Sequence, residues 1–324
     1  MNYRTLGKTG LKVSELGYGA WGIGKAMWVG ADDEESLRSL HRAIDQGVNF
    51  LDTALGYGDG HSEKLVGEAA RGSRERIFVA TKIPPKNMTW PAPKGVPAND
   101  AFPASWVVEC TDRSLSNLGL ETIDVQQFHV WSDEWVGHGD WAEGIARLKQ
   151  QGKIRYFGVS INDHQPANAI ELVKSGLVDT VQVIYNIFDQ SPEDELFPAV
   201  QANNVAVIVR VPLDEGALTG KVTPDTTFPE GDWRNRYFGG RRKEQVWEHV
   251  EAVTKDLGVP VERLPEVALR YCISAPAVST IIPGMRSVRN VDANVRSVEL
   301  GPLPAGQLEL LRHHRWERNF YEAG

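Results

Sequence analysis

Short apolar runs alternate along this chain with longer segments in which apolar residues recur every three or four positions. Four of the runs, residues 48–51, 77–81, 123–128 and 154–159, are bounded by polar or glycine-rich stretches, which predicts buried strands. Further runs of this kind occupy residues 15–19, 180–185, 205–209 and 278–282. The pattern therefore predicts eight strands.

Helical periodicity fills the intervals between these strands. The predicted helices cover residues 33–46, 62–71, 103–118, 140–151, 166–175, 193–201, 243–257 and 261–274. Strands alternating with helices predict an α/β protein, and eight strands match a (β/α)8 TIM barrel. Residues 3–13 predict an N-terminal β-hairpin, and residues 84–102 and 213–242 predict long top-face loops. Because no segment has the composition of a linker, residues 1–324 are predicted to form a single barrel domain.

The chain carries a net charge of −8 over 324 residues and has an isoelectric point near 5.6, which argues against a nucleic-acid partner. Its two cysteines, Cys110 and Cys272, lack the spacing of a zinc site or a disulfide framework. The first residues lack the apolar core of a signal peptide, and no run approaches the roughly 18 apolar residues of a membrane span. We therefore expect a cytoplasmic protein with no membrane partner, and we make no prediction of oligomeric state.

Three predicted strands end on reactive side chains, which are Asp52, Lys82 and His129, and Tyr57 comes shortly after Asp52. The carboxyl ends of parallel barrel strands converge on one face, so these four side chains are expected to share a pocket. Lysine is almost never fully buried unless it is paired, which favours an ion pair between Asp52 and Lys82. An ammonium group beside Tyr57 is expected to lower the phenol pKa from about 10 and to make it a tuned proton donor.

Two local motifs have competing interpretations. Residues 17–22 match a dinucleotide-binding glycine pattern, but neither a helix start nor a suitably spaced acidic residue follows, so we interpret the glycines as sites of close ligand approach. Asp59, His61 and Glu63 suggest a metal, but they occupy one short loop with no second set of ligands nearby. No metal site is therefore predicted.

Polar side chains at the later strand ends suit a planar amide. Ser160, Asn162 and Gln182 can hydrogen-bond an amide, and Tyr185 can stack on a planar heterocycle, although a tyrosine here is equally typical of barrel packing. Nicotinamide has both an amide and a ring. The arginines within residues 286–289 follow the eighth strand, where barrels often bind phosphate at a helix start; the alternative is two solvated arginines.

Taken together, these residues resemble the aldo-keto reductase superfamily, and the resemblance covers nearly the whole chain. Residues 50–54 (Phe-Leu-Asp-Thr-Ala) followed by Tyr57 are similar to the family's Asp/Tyr signature. Together with Asp52 and Tyr57 of this signature, Lys82 and His129 complete what resembles the family's catalytic tetrad. The resemblance implies reversible hydride transfer without a metal, in which Tyr57 protonates the carbonyl oxygen, His129 orients it, and Lys82 tunes the tyrosine.

Further segments carry the same resemblance. Residues 212–221 are similar to the segment that folds over the cofactor pyrophosphate, and Ile-Pro-Gly at residues 282–284 resembles bacterial members. The predicted cofactor-binding residues are Gly19, Ala20, Trp21, Asp52, Ser160, Asn162, Gln182, Tyr185, Arg210, Val211, Pro212, Leu213, Gly216, Leu218, Gly220, Lys221, Gly284, Arg286, Ser287, Arg289, Asn290 and Asn294. The predicted substrate pocket consists of Trp21, Tyr57, Trp90, His129 and Trp131.

The sequence departs from the family pattern at three places. Ile161 separates the strand-end serine from Asn162, and Arg210 stands where an aromatic residue is common. Gly-Met at residues 284–285 replaces a Lys-Ser pair that contacts the ribose phosphate in many members. We expect NADP(H) in preference to NAD(H), and this preference then depends on Arg286, Arg289 and Asn290.

The leading hypothesis is an NAD(P)H-dependent oxidoreductase that reduces an aldehyde, ketone or sugar carbonyl to an alcohol. The alternative is a slow-turnover subunit on the same barrel that senses the cofactor or binds a partner. All four tetrad residue types are present, which favours the enzyme. A metal-dependent barrel isomerase or hydrolase is a third possibility, and it lacks a convincing set of ligands.

Overall fold

The computed structural model describes residues 1–316. A hairpin of antiparallel strands, β1 (Tyr3–Thr5) and β2 (Lys12–Ser14), precedes eight parallel strands. The parallel strands are β3 (Tyr18–Gly19), β4 (Phe50–Asp52), β5 (Phe78–Ile83), β6 (Ile123–Phe128), β7 (Ile154–Ser160), β8 (Thr180–Ile184), β9 (Ala206–Arg210) and β10 (Val278–Ile281). The predicted barrel with an N-terminal hairpin is confirmed.

Each parallel strand pairs with the next one along the chain, from β3 to β10. The sheet closes where Leu16 pairs with Ile281 and Gly19 pairs with Gly284. A Cβ atom at Gly19 would lie 2.4 Å from the carbonyl oxygen of Ile282, so only glycine fits this closure without a shift of the backbone.

Helices surround the barrel. They are α1 (Asp33–Asp45), α2 (His61–Gly72), α3 (Ala98–Ala101), α4 (Ala104–Leu118), α5 (Trp141–Gln150), α6 (Ile170–Ser175), α7 (Leu196–Ala202), α8 (Arg234–Tyr237), α9 (Arg242–Leu257), α10 (Leu264–Ser274), α11 (Val288–Glu299) and α12 (Ala305–Arg312). The start of α1 is typical, because the Asp32 carboxylate accepts a hydrogen bond from the Glu35 amide while Leu40 and Ala43 face the core. Within residues 1–316, no helix has both the length and the apolar composition needed to span a membrane.

The hairpin covers the amino-terminal end of the barrel. Leu6 and Val13 share a small buried cluster with Phe50, Val125 and Ile208, which belong to three different barrel strands. This end of the barrel is therefore closed by apolar packing, and the opposite end is left for the long loops.

The helix predicted at residues 166–175 begins later than expected, at Ile170. The side-chain nitrogen of Asn168 donates to the carbonyl oxygen of Trp131 at 2.9 Å, and its oxygen accepts from the Asp133 amide at 3.0 Å. These bonds tie the segment to the loop after β6 and compete with a helical conformation.

Candidate active site

The carboxyl ends of three neighbouring strands bring the predicted reactive side chains together. Asp52 ends β4, Lys82 lies one residue before the end of β5, and His129 directly follows β6. Tyr57 lies in the turn after β4, and it lines one cavity together with Asp52 and His129. The structure thus groups the four side chains as the strand-end pattern predicts.

Lys82 is fully buried and forms an ion pair with Asp52. Its Nζ lies 2.5 Å from Oδ1 of Asp52 and 2.8 Å from the carbonyl oxygen of Thr53. Burial is the largest single effect and opposes the charge on Lys82, but Asp52 and Tyr57 together outweigh it and hold the ammonium pKa above its usual value. Lys82 is therefore a protonated lysine with fixed geometry.

The Asp52 carboxylate also accepts hydrogen bonds from two glutamines. Its Oδ2 lies 2.8 Å from Nε2 of Gln182 and 3.3 Å from Nε2 of Gln127. Gln127 is absent from the predicted site, although it lies two residues before His129 and the period of a strand places both on one face. The amide nitrogen of Gln182 is committed to Asp52, which leaves its oxygen as the atom available to a ligand amide.

Tyr57 is close to Lys82, but its pKa shifts in the direction opposite to the prediction. Nζ of Lys82 lies 3.4 Å from the phenol oxygen. Burial raises the pKa of Tyr57 above its usual value, and the neighbouring ammonium only partly offsets this effect. The expected net lowering is therefore wrong for this structure, because the loss of water disfavours the phenolate more than Lys82 favours it. The phenol stays protonated at neutral pH, which is the state a proton donor needs.

His129 faces Tyr57 across the cavity. Their ring centroids are 5.6 Å apart and the rings are nearly perpendicular. Within the described part of the chain, Nδ1 of His129 is buried and makes no hydrogen bond. Burial and the positive charges of Lys82 and Arg210 hold the pKa of His129 well below its usual range, so the imidazole is neutral at physiological pH. A neutral imidazole can donate one hydrogen bond to an oxygen atom in the cavity.

The cavity has a volume of about 1280 Å³ and opens between the loops at the carboxyl ends of the strands. Trp21 stacks on Tyr57 with centroids 6.1 Å apart, and Trp90 stands perpendicular to His129 at 6.0 Å. Both indoles belong to the predicted substrate pocket and lie in the cavity wall. They give the wall beside the polar groups an apolar and aromatic character.

The prediction that Trp131 lines the substrate pocket is wrong. Trp131 is fully buried, and its ring packs perpendicular to Trp135 and Trp141 behind the cavity wall. Its indole nitrogen donates to the Asp133 carboxylate at 2.9 Å. The preceding residue, Val130, faces the cavity instead.

Most of the predicted cofactor residues line this same cavity. They are Gly19, Trp21, Asp52, Ser160, Asn162, Gln182, Arg210, Val211, Pro212, Leu213, Gly216, Lys221, Gly284, Arg286, Arg289, Asn290 and Asn294. They extend from the reactive side chains to the start of α11, so the cavity is long enough to hold an extended ligand.

Tyr185 lies outside this lining, so its predicted role as a stacking platform is wrong. Its side chain is buried, hydrogen-bonds the Glu193 carboxylate, and packs against Phe197 and Tyr271. Gln182 points into the barrel, and successive strand residues alternate between faces, so Tyr185 points outward to the helices.

Four other predicted cofactor residues stand behind the lining. Ala20 and Leu218 are fully buried, Gly220 ends a short 3₁₀ helix at a φ of 68°, and the hydroxyl of Ser287 caps α11. None of these four residues is part of the cavity lining.

The side chain of Asn162 holds the long loop after β5. Its Oδ1 accepts from the Ala92 amide at 3.2 Å, and its Nδ2 donates to the Ala92 carbonyl oxygen and to Oε1 of Gln165, each also at 3.2 Å. Trp90 lies two residues before Ala92 on this loop. The structure therefore gives Asn162 a role in positioning this loop, and its predicted contact with a carboxamide stays a prediction.

Replacing Asn162 with Ala should lower the free energy of unfolding by about 1–3 kcal/mol, because the buried polar groups of Ala92 lose their partner. Hydrogen exchange of the amides around Ala92 should accelerate. Gln165→Ala, which removes only the outer bond, serves as the control and should leave this exchange nearly unchanged. Equal exchange in wild type and Asn162→Ala would contradict the positioning role.

Two loops meet over the mouth of the cavity. The amide of Trp233, in the loop after β9, donates to the carbonyl oxygen of Met27, in the loop after β3, at 2.8 Å. The guanidinium of Arg234 lies 4.5 Å above the ring of Trp28. The two loops are thus joined across the mouth by one backbone hydrogen bond and one cation–π contact, and together they would cover a ligand in the cavity.

Asp163 and Glu215, which lie in the cavity wall, are missing from the predicted site. Asp163 pairs with Arg210, and Glu215 occupies a left-handed backbone conformation with a φ of 52°. Burial raises the pKa of Glu215 to about 8, so most of it is neutral at neutral pH. Neither residue belongs to a strand end, so the pattern that locates the other side chains does not find them.

The residues of the metal-like cluster have separate partners. Asp59 pairs with Arg113, His61 with Asp33, and Glu63 is buried against Thr81 and Asn117. In the described residues, 1–316, no group of three or more metal-binding side chains is found.

A sequence model of the Aldo/keto reductase family matches residues 15–315 of the chain. The chain is 30% identical over 302 residues to the aldo-keto reductase YhdN of Bacillus subtilis, covering 90% of this chain and 87% of that protein. It is 29% identical over 323 residues to the NADH-specific methylglyoxal reductase of Escherichia coli, covering 91% and 93%. The holo form of aldo-keto reductase AKR11C1 from Bacillus halodurans has 30% identity, coverage of 99% and 98%, and a TM-score of 0.76.

The chain belongs to the aldo/keto reductase family. The resemblance inferred from the tetrad is confirmed, and family membership supports oxidoreductase chemistry on a carbonyl group with a nicotinamide cofactor.

Proposed function

We propose that this protein is an NADPH-dependent, metal-independent reductase of an aldehyde, ketone or sugar carbonyl. The observation that carries the proposal is Tyr57 placed beside the Lys82–Asp52 ion pair and facing His129. This arrangement supplies a proton and a hydrogen bond to one oxygen atom at the cavity wall. We further propose one catalytic domain over residues 1–324, acting in the cytoplasm.

The cavity suits a nicotinamide nucleotide. Ser160 and Gln182 are buried polar groups at its inner end, and the side-chain oxygen of Gln182 is available to an amide because its nitrogen donates to Asp52. At the other end, Arg286 and Arg289 border the start of α11. When bound, the nucleotide would supply the hydride for the carbonyl carbon.

In this proposal Tyr57 donates its phenol proton to the developing alkoxide, and His129 holds the carbonyl oxygen by a hydrogen bond. Lys82 stabilises the phenolate that remains, because its ammonium lies 3.4 Å from the phenol oxygen. Asp52 fixes the lysine in place. Trp21 and Trp90 border the position of the carbonyl and keep it away from bulk water.

The preference for NADPH is supported by the arginines near α11. Arg286 is held by a hydrogen bond from Nη1 to the carbonyl oxygen of Val29 at 3.0 Å, and its guanidinium lies 5.7 Å from the ring of Trp28. Arg289 is exposed at the same end of the cavity. A 2′-phosphate suits guanidinium groups, whereas NADH offers only a hydroxyl.

Fluorescence titration of the purified protein should give a Kd for NADPH that is about ten- to hundredfold lower than that for NADH. This is the gain in affinity expected from charge-assisted hydrogen bonds between the arginines and the 2′-phosphate. Loss of absorbance at 340 nm should then follow the addition of aldehydes. Arg286→Leu should remove most of the NADPH preference, and Arg312→Leu, an exposed change on α12, is the matched control. Tight binding with no turnover of any carbonyl tested would favour the cofactor-sensing alternative, and no binding of either nucleotide would contradict both.

A further inference from the structure

Because Tyr185 faces outward, another group must contact the flat face of a ring bound beside Ser160 and Gln182. Among the described residues, the aromatic side chains in the cavity wall belong to loops, to α4 (Trp106) or to α8 (Tyr237), and none ends β7, β8 or β9. The residue that ends β9 is Arg210, and it pairs in register with Ile184 of β8.

We propose that the guanidinium of Arg210 is the platform for the nicotinamide ring, and that its charge makes the protein bind the reduced cofactor in preference to the oxidised one. This inference rests on the proposed function. It concerns the position at which, by the resemblance described above, an aromatic residue is common.

The geometry of Arg210 suits a platform because its guanidinium is held in place. Nη2 donates to the carbonyl oxygen of Ile161 at 2.8 Å and pairs with the carboxylate of Asp163, both in the segment after β7. The side chain is 19% exposed, and it lines the cavity together with Ser160 and Gln182. A planar guanidinium stacks on flat rings, which a lysine ammonium does not.

Arg210 is also close to the reactive groups. At His129 its positive charge adds to the effect of burial, and both lower the imidazole pKa. At Tyr57 the same charge favours the phenolate, but burial outweighs it and the net pKa is raised. A ring beside these two groups would therefore experience the same field.

The charge distinguishes the two oxidation states of the cofactor. The nicotinamide ring is cationic when oxidised and neutral when reduced, so a guanidinium repels only the oxidised form. Asp163 weakens this repulsion, whereas Glu215 is largely neutral at neutral pH. A net preference for the reduced cofactor follows, and oxidised nucleotide leaves more readily after carbonyl reduction.

The test is the Kd of NADPH and of NADP⁺, measured by calorimetry for four proteins. Arg210→Tyr keeps a flat platform and removes the charge, so NADP⁺ should bind about three- to tenfold more tightly relative to NADPH than in wild type. Asp163→Asn removes the countercharge and should shift the ratio in the opposite direction. Arg147→Tyr, an exposed change on α5, is the control and should leave the ratio unchanged.

A parallel weakening of both nucleotides in Arg210→Tyr would overturn the proposal, because the arginine would then serve the pyrophosphate, which is the same in both. An unchanged ratio in both Arg210→Tyr and Asp163→Asn would overturn it as well. Failure of the wild-type protein to bind any nucleotide would instead contradict the proposed function, and this inference with it.

Discussion

Replacing Tyr57 with Phe should lower the rate of carbonyl reduction by about 100- to 10,000-fold, the range typical for loss of a general acid. The substitution removes one oxygen atom and leaves the ring that stacks on Trp21. The Kd for NADPH should stay within about twofold of wild type, because the change affects a group used in proton transfer. Steady-state turnover at 340 nm and fluorescence titration, on the same preparation, measure the two effects.

Tyr156→Phe is the matched control for this experiment. Tyr156 donates from its hydroxyl to the carbonyl oxygen of Thr9 at the hairpin end of the barrel, away from the cavity. It should leave turnover unchanged while losing a comparable hydrogen bond. Turnover in Tyr57→Phe close to the wild-type rate would remove Tyr57 from the mechanism and leave His129 or a bound water as the donor.

Replacing Lys82 with Met should both abolish turnover and lower the free energy of unfolding by about 3–5 kcal/mol. Methionine fills a similar volume, so the loss comes mainly from the Asp52 carboxylate, which stays buried without its cationic partner. Gln127 and Gln182 still donate to this carboxylate, but neutral donors do not replace a charge. Urea unfolding followed by circular dichroism measures the effect.

The double variant Asp52→Asn/Lys82→Met separates the two roles of the pair. It removes both charges, so it should recover part of the lost stability while turnover stays absent. Lys149→Met is the control, because its partner Asp179 is a partly exposed carboxylate near the other end of the barrel. A stability of Lys82→Met equal to that of wild type would mean that the pair contributes little to folding.

The barrel could be predicted because its strands and helices obey simple periodicities. The predicted β6, residues 123–128, has the same bounds as the observed strand, since every residue in it is buried. The start of the helix at residues 166–175 is harder to predict. The side chain of Asn168 bonds two backbone groups that are distant in sequence, and these bonds compete with formation of the first helical turn. Such bonds depend on the tertiary fold, which local periodicity does not encode.

The site residues also divide into those that the sequence pattern locates and those that it misplaces. Asp52, Lys82 and His129 could be located because strand ends converge in any parallel barrel. The sequence pattern misplaces Tyr185 because the faces of β8 alternate from Gln182, and a residue three positions further along points to the opposite face. The same count along β9 places Arg210 inside, with Ile208 of the interior cluster two residues before it.

The net pKa of Tyr57 could not be predicted from the identity of its neighbours. Lys82 acts in the predicted direction, but the removal of water depends on how the loops after β3 and β5 pack around Tyr57 and His129, through Trp21 on Tyr57 and Trp90 on His129. Those loops carry Trp21 and Trp90, and the position of Trp90 depends in turn on the bond between Asn162 and Ala92. Burial at this site is therefore a property of the assembled barrel.

The carboxylate of Asp52 receives bonds from three other strands, through Lys82 of β5, Gln127 of β6 and Gln182 of β8. Natural selection for a folded barrel therefore acts on these residues whether or not the protein turns over a substrate. A descendant that gave up catalysis would keep Asp52 and Lys82 for stability and would be free to lose Tyr57, whose hydroxyl meets this network only at its edge. Within a lineage, loss of Tyr57 therefore indicates a change in function, whereas retention of the Asp52–Lys82 ion pair does not show that catalysis has been kept.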